Sequence, residues 1–230
     1  MSAGGESGAA GGAVSTAGGG AAGAGGLSGA SATGGASGGG SAGANAGGGG
    51  AGGNGGGAGF VLTSPALENK AGCSVDDPST CDAFPNENVS YADNANVSPE
   101  LRWTGAPAGT QSFALVLFDV SFGQAHWALW NIPGSLSALP ANVAKDTATP
   151  PVPAGSQQAN ANFATAGGDG YFGPHLPCNV FELQLYALST STFSPMDADS
   201  SVLVSIELQD LGSVLGVAKL TGRGGVSTCD

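Results

Sequence analysis

Positive charge is scarce in this 230-residue chain: Lys and Arg number 5 against 17 Asp and Glu, giving a net charge of −12 and an isoelectric point near 4.1. The five, Lys70, Arg102, Lys145, Lys219 and Arg223, are scattered, so there is no basic footprint for nucleic acid or for an anionic membrane surface. No apolar run reaches the length of about 18 residues that a helical membrane span needs. The N-terminus has neither the basic start nor the continuous apolar stretch of a secretory signal, which by itself would place the protein in the cytoplasm. Also missing are a phosphate-binding P-loop, a dinucleotide fingerprint set between strand and helix, a G-x-S-x-G elbow and a paired C-x-x-C zinc motif. No cofactor and no metal is therefore expected.

What is present falls into two unlike parts. Residues 1–59 hold most of the 43 glycines and are otherwise nearly all Ala and Ser. They carry one charge, Glu6, no aromatic residue, and only Val14 and Leu27 as sizeable apolar side chains. Such a segment cannot bury enough surface to offset the entropy of ordering a glycine-rich backbone, and it reads as a disordered tether. Residues 60–230 contain all the Trp, Phe, Cys and basic residues and are long enough for one domain with its own core.

The cysteines point away from the cytoplasm. Cys73 and Cys81 flank Ser-Val-Asp-Asp-Pro-Ser-Thr, whose Pro and Asp suit a closed turn, whereas Cys178 and Cys229 lie far apart in sequence. Four cysteines allow three pairings, which sequence does not resolve. Cys73 with Cys81 and Cys178 with Cys229 is the favoured pair set, being local in one case and tying down the C-terminus in the other. An even cysteine count, scarce lysine and a long tether together suggest an exported, surface-tethered domain whose signal segment is absent from this chain.

The periodicity beyond Phe60 is mainly that of strands. Ser112–Asp119 is a continuous apolar run fit for a buried strand, and Ala125–Ile132 follows after a turn at Gly123 and ends at Pro133-Gly134. Val180–Leu188 alternates, placing Phe181, Leu183, Leu185 and Ala187 on a core face and Glu182, Gln184 and Tyr186 on the other. Val214–Gly222 reads as a last strand. Ser200–Leu211 is the plausible helix, with Ser200 or Ser201 as N-cap and Gly212 as terminator. Pro140–Gly170, rich in Pro and Asn, reads as an extended surface excursion. The fold class expected is mostly β, with one or two short helices.

Two histidines limit where chemistry can sit. His126 lies seven residues after Asp119, so adjacent strands would bring both to one rim of a sheet. There the carboxylate would orient the imidazole and favour its protonated form, able to hold an anion through its N–H, or the ring would serve structure by capping a loop carbonyl. His175 sits in Gly170-Tyr-Phe-Gly-Pro-His-Leu-Pro-Cys178, a loop stiffened by Pro174 and Pro177 that lines a ligand cavity or simply connects two elements. An alternative hydrolase would use His126 as base, Asp119 as its orienter and Ser121 or Tyr171 as nucleophile, but neither lies in a supporting motif.

Several motifs in order carry a family resemblance. Asn96-Val-Ser-Pro-Glu-Leu-Arg-Trp-Thr-Gly-Ala-Pro-Ala-Gly-Thr110, Asp119, His126-Trp127, Asn131-Ile-Pro133, Gly170-Tyr-Phe-Gly-Pro174 and Tyr186-Ala-Leu188 resemble the phosphatidylethanolamine-binding protein family, nearest its bacterial Raf-kinase-inhibitor-like branch. The resemblance runs from about Ser64 to Gly222 and implies a β-sandwich of Greek-key character with a rim pocket for phosphate-like or carboxylate anions. Asp119 matches the first aspartate of the family's Asp-Pro-Asp-Ala-Pro segment, His126 the histidine of its His-Trp motif, and Gly173-Pro174 its second pocket loop. Departures are Ser121 at the second aspartate, Val120, Phe122 and Gly123 in place of prolines and alanine, and Asn179 at the second pocket histidine, for which His175 is placed to substitute.

The expected function is therefore a tethered anion-binding module with Asp119, His126, Gly173, Pro174 and His175 around the ligand. The alternative is a protein-interaction or inhibitor domain with a vestigial pocket. Catalysis is the least favoured reading.

Overall fold

The computed structural model describes residues 59–91, 94–146, 152–160, 170–225, 228 and 229. The segment expected to be a tether lies outside the described residues except for Gly59. Strands are β1 (Val61–Thr63), β2 (Leu101–Thr104), β3 (Ser112–Asp119), β4 (Gln124–Pro133), β5 (Ala138–Leu139), β6 (Gln157–Asn160), β7 (Val180–Leu188) and β8 (Val214–Arg223), with one helix, α1 (Ser201–Asp210), between the last two. One-turn 3-10 helices occupy Pro78–Thr80 and Asn86–Asn88. Among the described residues the strands form two antiparallel sheets, ordered β1-β2-β5 and β6-β4-β3-β7-β8.

The larger sheet is covered on both sides, which explains its run-like sequences. One face packs Leu115, Leu117, Trp127, Leu129, Phe181 and Leu183 against Leu62, Leu101 and Trp103 of the small sheet. The other face packs Ala114, Val116, Trp130, Tyr186 and Leu188 against Val204 and Leu208 of α1. The alternation of β7 thus does not separate core from solvent as expected. Gln184 and Tyr186 are buried under the α1 side, the Tyr186 hydroxyl donates to Gln184 Oε1 at 2.7 Å, and burial with the nearby Glu182 carboxylate pushes the phenol up to about 12. The Ser200 side chain caps α1 by accepting from Leu203 N, and Leu211 closes the helix ahead of Gly212.

The excursion expected over Pro140–Gly170 contains a strand instead. β6 pairs antiparallel with β4, and Gln158 is buried in it. Its Oε1 accepts from Trp127 Nε1 at 2.9 Å, and its amide donates to the carbonyls of Ala144 and Asp146. A buried amide is tolerated when its donors and acceptors are met, and these partners are invisible to hydropathy.

Both disulfides join the favoured pairs. Cys73–Cys81 closes the surface turn, and Cys178–Cys229 ties the chain end to the loop before β7. Cys178 has φ 66°, a left-handed conformation unusual for a residue with a side chain, and its N–H donates to Gly224 O.

Candidate ligand pocket

The β3–β4 hairpin builds one wall of a rim cavity. Asp119 ends β3 opposite Gln124 at the start of β4. Its carbonyl accepts from Gly123 N and its Oδ1 from Phe122 N at 2.9 Å, with Gly123 at φ 78°, so the Asp119 side chain closes the turn it begins. Oδ2 accepts from Asn179 Nδ2 at 2.8 Å, across the sheet at the start of β7. Asn179 thus brings a neutral amide donor to this corner. Ser121 Oγ accepts from Val180 N at 2.9 Å and fastens the same corner.

His126 is buried on β4, where the register with β3 shifts between the pairs Phe118–Ala125 and Leu117–Trp127. Its Nδ1 lies 3.2 Å from Gly173 O, and because a carbonyl only accepts, Nδ1 carries the proton. Nε2 lies 3.9 Å from Asp119 Oδ2, too far for a hydrogen bond but close enough for attraction. The ring stands 5.4 Å from Phe172 and 5.1 Å from Phe181, and Phe172 in turn stacks on His175 at 5.6 Å. Burial lowers the His126 pKa, and that cost outweighs the Gly173 carbonyl and the Asp119 carboxylate, which raise it. Asp119 favours the protonated ring as expected, but burial outweighs it, and the walls that enclose the imidazole favour its neutral form.

The facing loop is held by residues distant in sequence. Gly173 N donates to Asn96 Oδ1 at 2.9 Å, with Asn96 in the left-handed region at φ 51°. Gly173 O also accepts from Ser90 Oγ, Pro174 O accepts from Ser90 N, and Tyr171 donates its hydroxyl to Asn88 O. Burial raises the Tyr171 phenol far above its usual value, which holds it neutral and removes it as a nucleophile. The Gly173 N–H is committed to Asn96, so this backbone position supplies no donor to a ligand.

Between the walls lies a cavity of about 310 Å³ lined by Asp119, Phe122, Gln124, His126, His175 and Leu176. Three residues singled out in the sequence, Asp119, His126 and His175, meet there. Gly173 stands behind His126 and acts through its carbonyl, and Pro174 lies outside the lining. Phe122, Gln124 and Leu176 went unnoticed in the sequence, where a turn aromatic, a strand-end amide and a loop leucine carry no motif. Neither Ser121 nor Tyr171 reaches the cavity. Among the described residues no cluster of three His, Cys, Asp or Glu side chains is placed to hold a metal ion.

A family model described as phosphatidylethanolamine-binding protein matches residues 74–223. The UPF0098 protein YbcL of Escherichia coli K12 is 33% identical over 115 residues, covering 47% of this chain and 61% of that protein. A UPF0098 protein of Methanothermobacter thermautotrophicus is 36% identical over 136 residues, covering 56% of this chain and 83% of the other. The crystal structure of Escherichia coli YbcL, described as a new member of the mammalian PEBP family, matches with a TM-score of 0.56 at 27% identity, covering 73% of this chain and 99% of that one. The match thus spans about three fifths of the YbcL sequence.

Proposed function

Because this chain belongs to the phosphatidylethanolamine-binding protein family, we propose that residues 60–230 form a ligand-binding domain, not an enzyme, that holds a small phosphate-like anion in the cavity between His126 and His175. The observation that supports this reading is that His126, His175 and Gln124 line one cavity. Asp119 and Gly173 orient His126, and Pro174 with Gly173 shapes the loop that presents His175. Its two disulfides suit an oxidising compartment, in which the domain is exported and reaches outward on residues 1–59.

The anion is taken up together with a proton. His126 already gives its Nδ1 hydrogen to Gly173, so Nε2 becomes a donor only in the imidazolium form. Burial disfavours that form, and an anion beside Nε2 restores it. Affinity is weak at neutral pH, where a net charge of −12 also repels anions at long range. Calorimetric titration with sulfate from pH 8 to 5 tests this, since sulfate stays a dianion across that range. Affinity should rise as pH falls, by up to about tenfold per unit while the free ring is neutral. Binding without pH dependence would remove His126 from the site, and no binding at pH 5 would overturn the anion reading.

A protein partner is the second reading. Leu203 and Ile206 lie three residues apart on α1 and both are exposed, as is Met196 just before the helix. A vestigial pocket with this surface as the working face would match failure of the sulfate titration.

A further inference from the structure

The outer face of α1 departs from the pattern of a solvated helix. Apolar residues lie all round it: Val204 and Leu208 pack inward, while Leu203 and Ile206 are 43% and 51% exposed. A surface helix ordinarily keeps its apolar residues in one stripe toward the core. Met196 joins the outer patch. Its N–H donates to both Glu207 carboxylate oxygens, at 3.0 and 3.2 Å, which fastens the chain ahead of the helix to the helix's last turn, and its side chain stands 92% exposed.

The charges beside this patch sit at the wrong end of the helix. Glu207 and Asp210 lie three residues apart in the last turn, where no basic residue is present and where the unpaired carbonyls already carry partial negative charge. Like charges at that spacing also repel each other. Asp197 and Asp199, exposed next to Met196 in the chain, bring the carboxylates to four. Nothing in the chain answers them: no Lys or Arg lies between Lys145 and Lys219, and among the described residues none of the four has an ion-pair partner. Local rules broken without compensation inside the fold mark a place where the compensation comes from outside.

Charge separates the occupants that would bury such a face. A second copy would set the same carboxylates against their own images, and an anionic membrane is repelled in the same way. The glycine-rich residues 1–59 carry a single charge, Glu6, of the same sign. We propose that the outer face of α1 docks a cationic amphipathic segment of a partner protein, whose apolar side chains meet Met196, Leu203 and Ile206 and whose Lys or Arg side chains meet Glu207 and Asp210. Met suits such a contact because its unbranched side chain adapts to the shape it meets. The proposal rests on the second reading above for the existence of a partner and adds its chemistry, and it holds whether or not the pocket takes an anion.

The test is fluorescence-anisotropy titration of the full chain into a dye-labelled Leu/Lys peptide about four turns long, with Leu at helical spacing, at low salt. Two companion peptides carry Glu in place of Lys or Ser in place of Leu. The Leu/Lys peptide should bind at least about tenfold more tightly than either companion. Leu203→Ser combined with Ile206→Ser should weaken it about tenfold or more. Asp210→Lys should weaken it about three- to tenfold, and Asp76→Lys, on the Cys73–Cys81 turn, by less than about twofold. Asp210→Lys should at the same time raise the urea midpoint, since a cation suits a helix C-terminus, which separates lost docking from lost folding. Equal losses in Asp76→Lys and Asp210→Lys would reduce the attraction to net charge and overturn the proposal. Undiminished binding by the Leu203/Ile206 double variant would overturn the assignment to α1. Equal binding of the Leu/Glu peptide, or no binding of the Leu/Lys peptide, would overturn the cationic partner and leave the second reading standing with a partner of other chemistry.

Discussion

The Asn179 amide donates to Asp119 Oδ2 at 2.8 Å, joining residues 60 positions apart at the corner where three strands meet. The amide does not titrate, so the proton coupling proposed for the pocket falls on its imidazoles, His126 and His175. Removing the amide leaves a buried carboxylate oxygen without its donor. Asn179→Ala should lose about 1.5–3 kcal/mol of stability in urea unfolding at pH 7. Asn179→Asp, nearly the same in shape, sets a second carboxylate against Asp119 and should recover stability as pH is lowered to 4, where Ala does not.

His126 makes stability depend on pH in a definite direction. Its pKa in the folded protein is lowered from an ordinary 6.5, so the unfolded chain binds the proton more readily. The stability it contributes is complete above 6.5 and is lost as pH falls toward the folded value. Urea midpoints from pH 7.5 to 5 should decline in the native protein and decline less in His126→Asn. Added sulfate should flatten the native decline, since it binds the protonated folded form.

Gly173 has no room for a side chain. A Cβ there would collide with Asn88 O and crowd the Tyr171 ring. Gly173→Ala must move the loop, lose the bonds to Asn96 and His126, and cost about 2 kcal/mol or more. The His126 imidazole resonance, followed by NMR titration, should shift to a still lower pKa, because the carbonyl that favours its charged form has been displaced.

The two disulfides should contribute unequally. Cys178–Cys229 closes 51 residues and Cys73–Cys81 closes 8, so chain entropy assigns about 4 and about 2.5 kcal/mol respectively. Guanidinium midpoints of the paired Cys→Ser variants measure both. The Cys178 variant should also loosen Leu176 at the cavity mouth, seen as faster amide exchange over residues 175–179 than in the Cys73 variant.

Much of the architecture was legible because it is carried by local pattern. Ser112–Asp119 and Val180–Leu188 are strands with the bounds their apolar runs suggest, and Ser200 caps the helix its sequence position marks. Asp119 and His126 were recognisable as neighbours because only a four-residue turn separates their strands. β6 was missed because Gln158 breaks any hydrophobic pattern and is buried only through Trp127 and two loop carbonyls.

By itself, the sequence determined the four long strands β3, β4, β7 and β8 through their periodicity, the family through its ordered motifs, and the arrival of Asp119 and His126 at one rim through a short connection. Tertiary structure alone decided what the rim does. Asn96 takes the Gly173 N–H from 77 residues away, Asn179 takes up Asp119, and Phe172 and Phe181 enclose His126. Hydrogen-bond donors are spent and charges are desolvated by whatever packs against them in space, so the protonation of His126 is set by its walls, not by its neighbours in sequence.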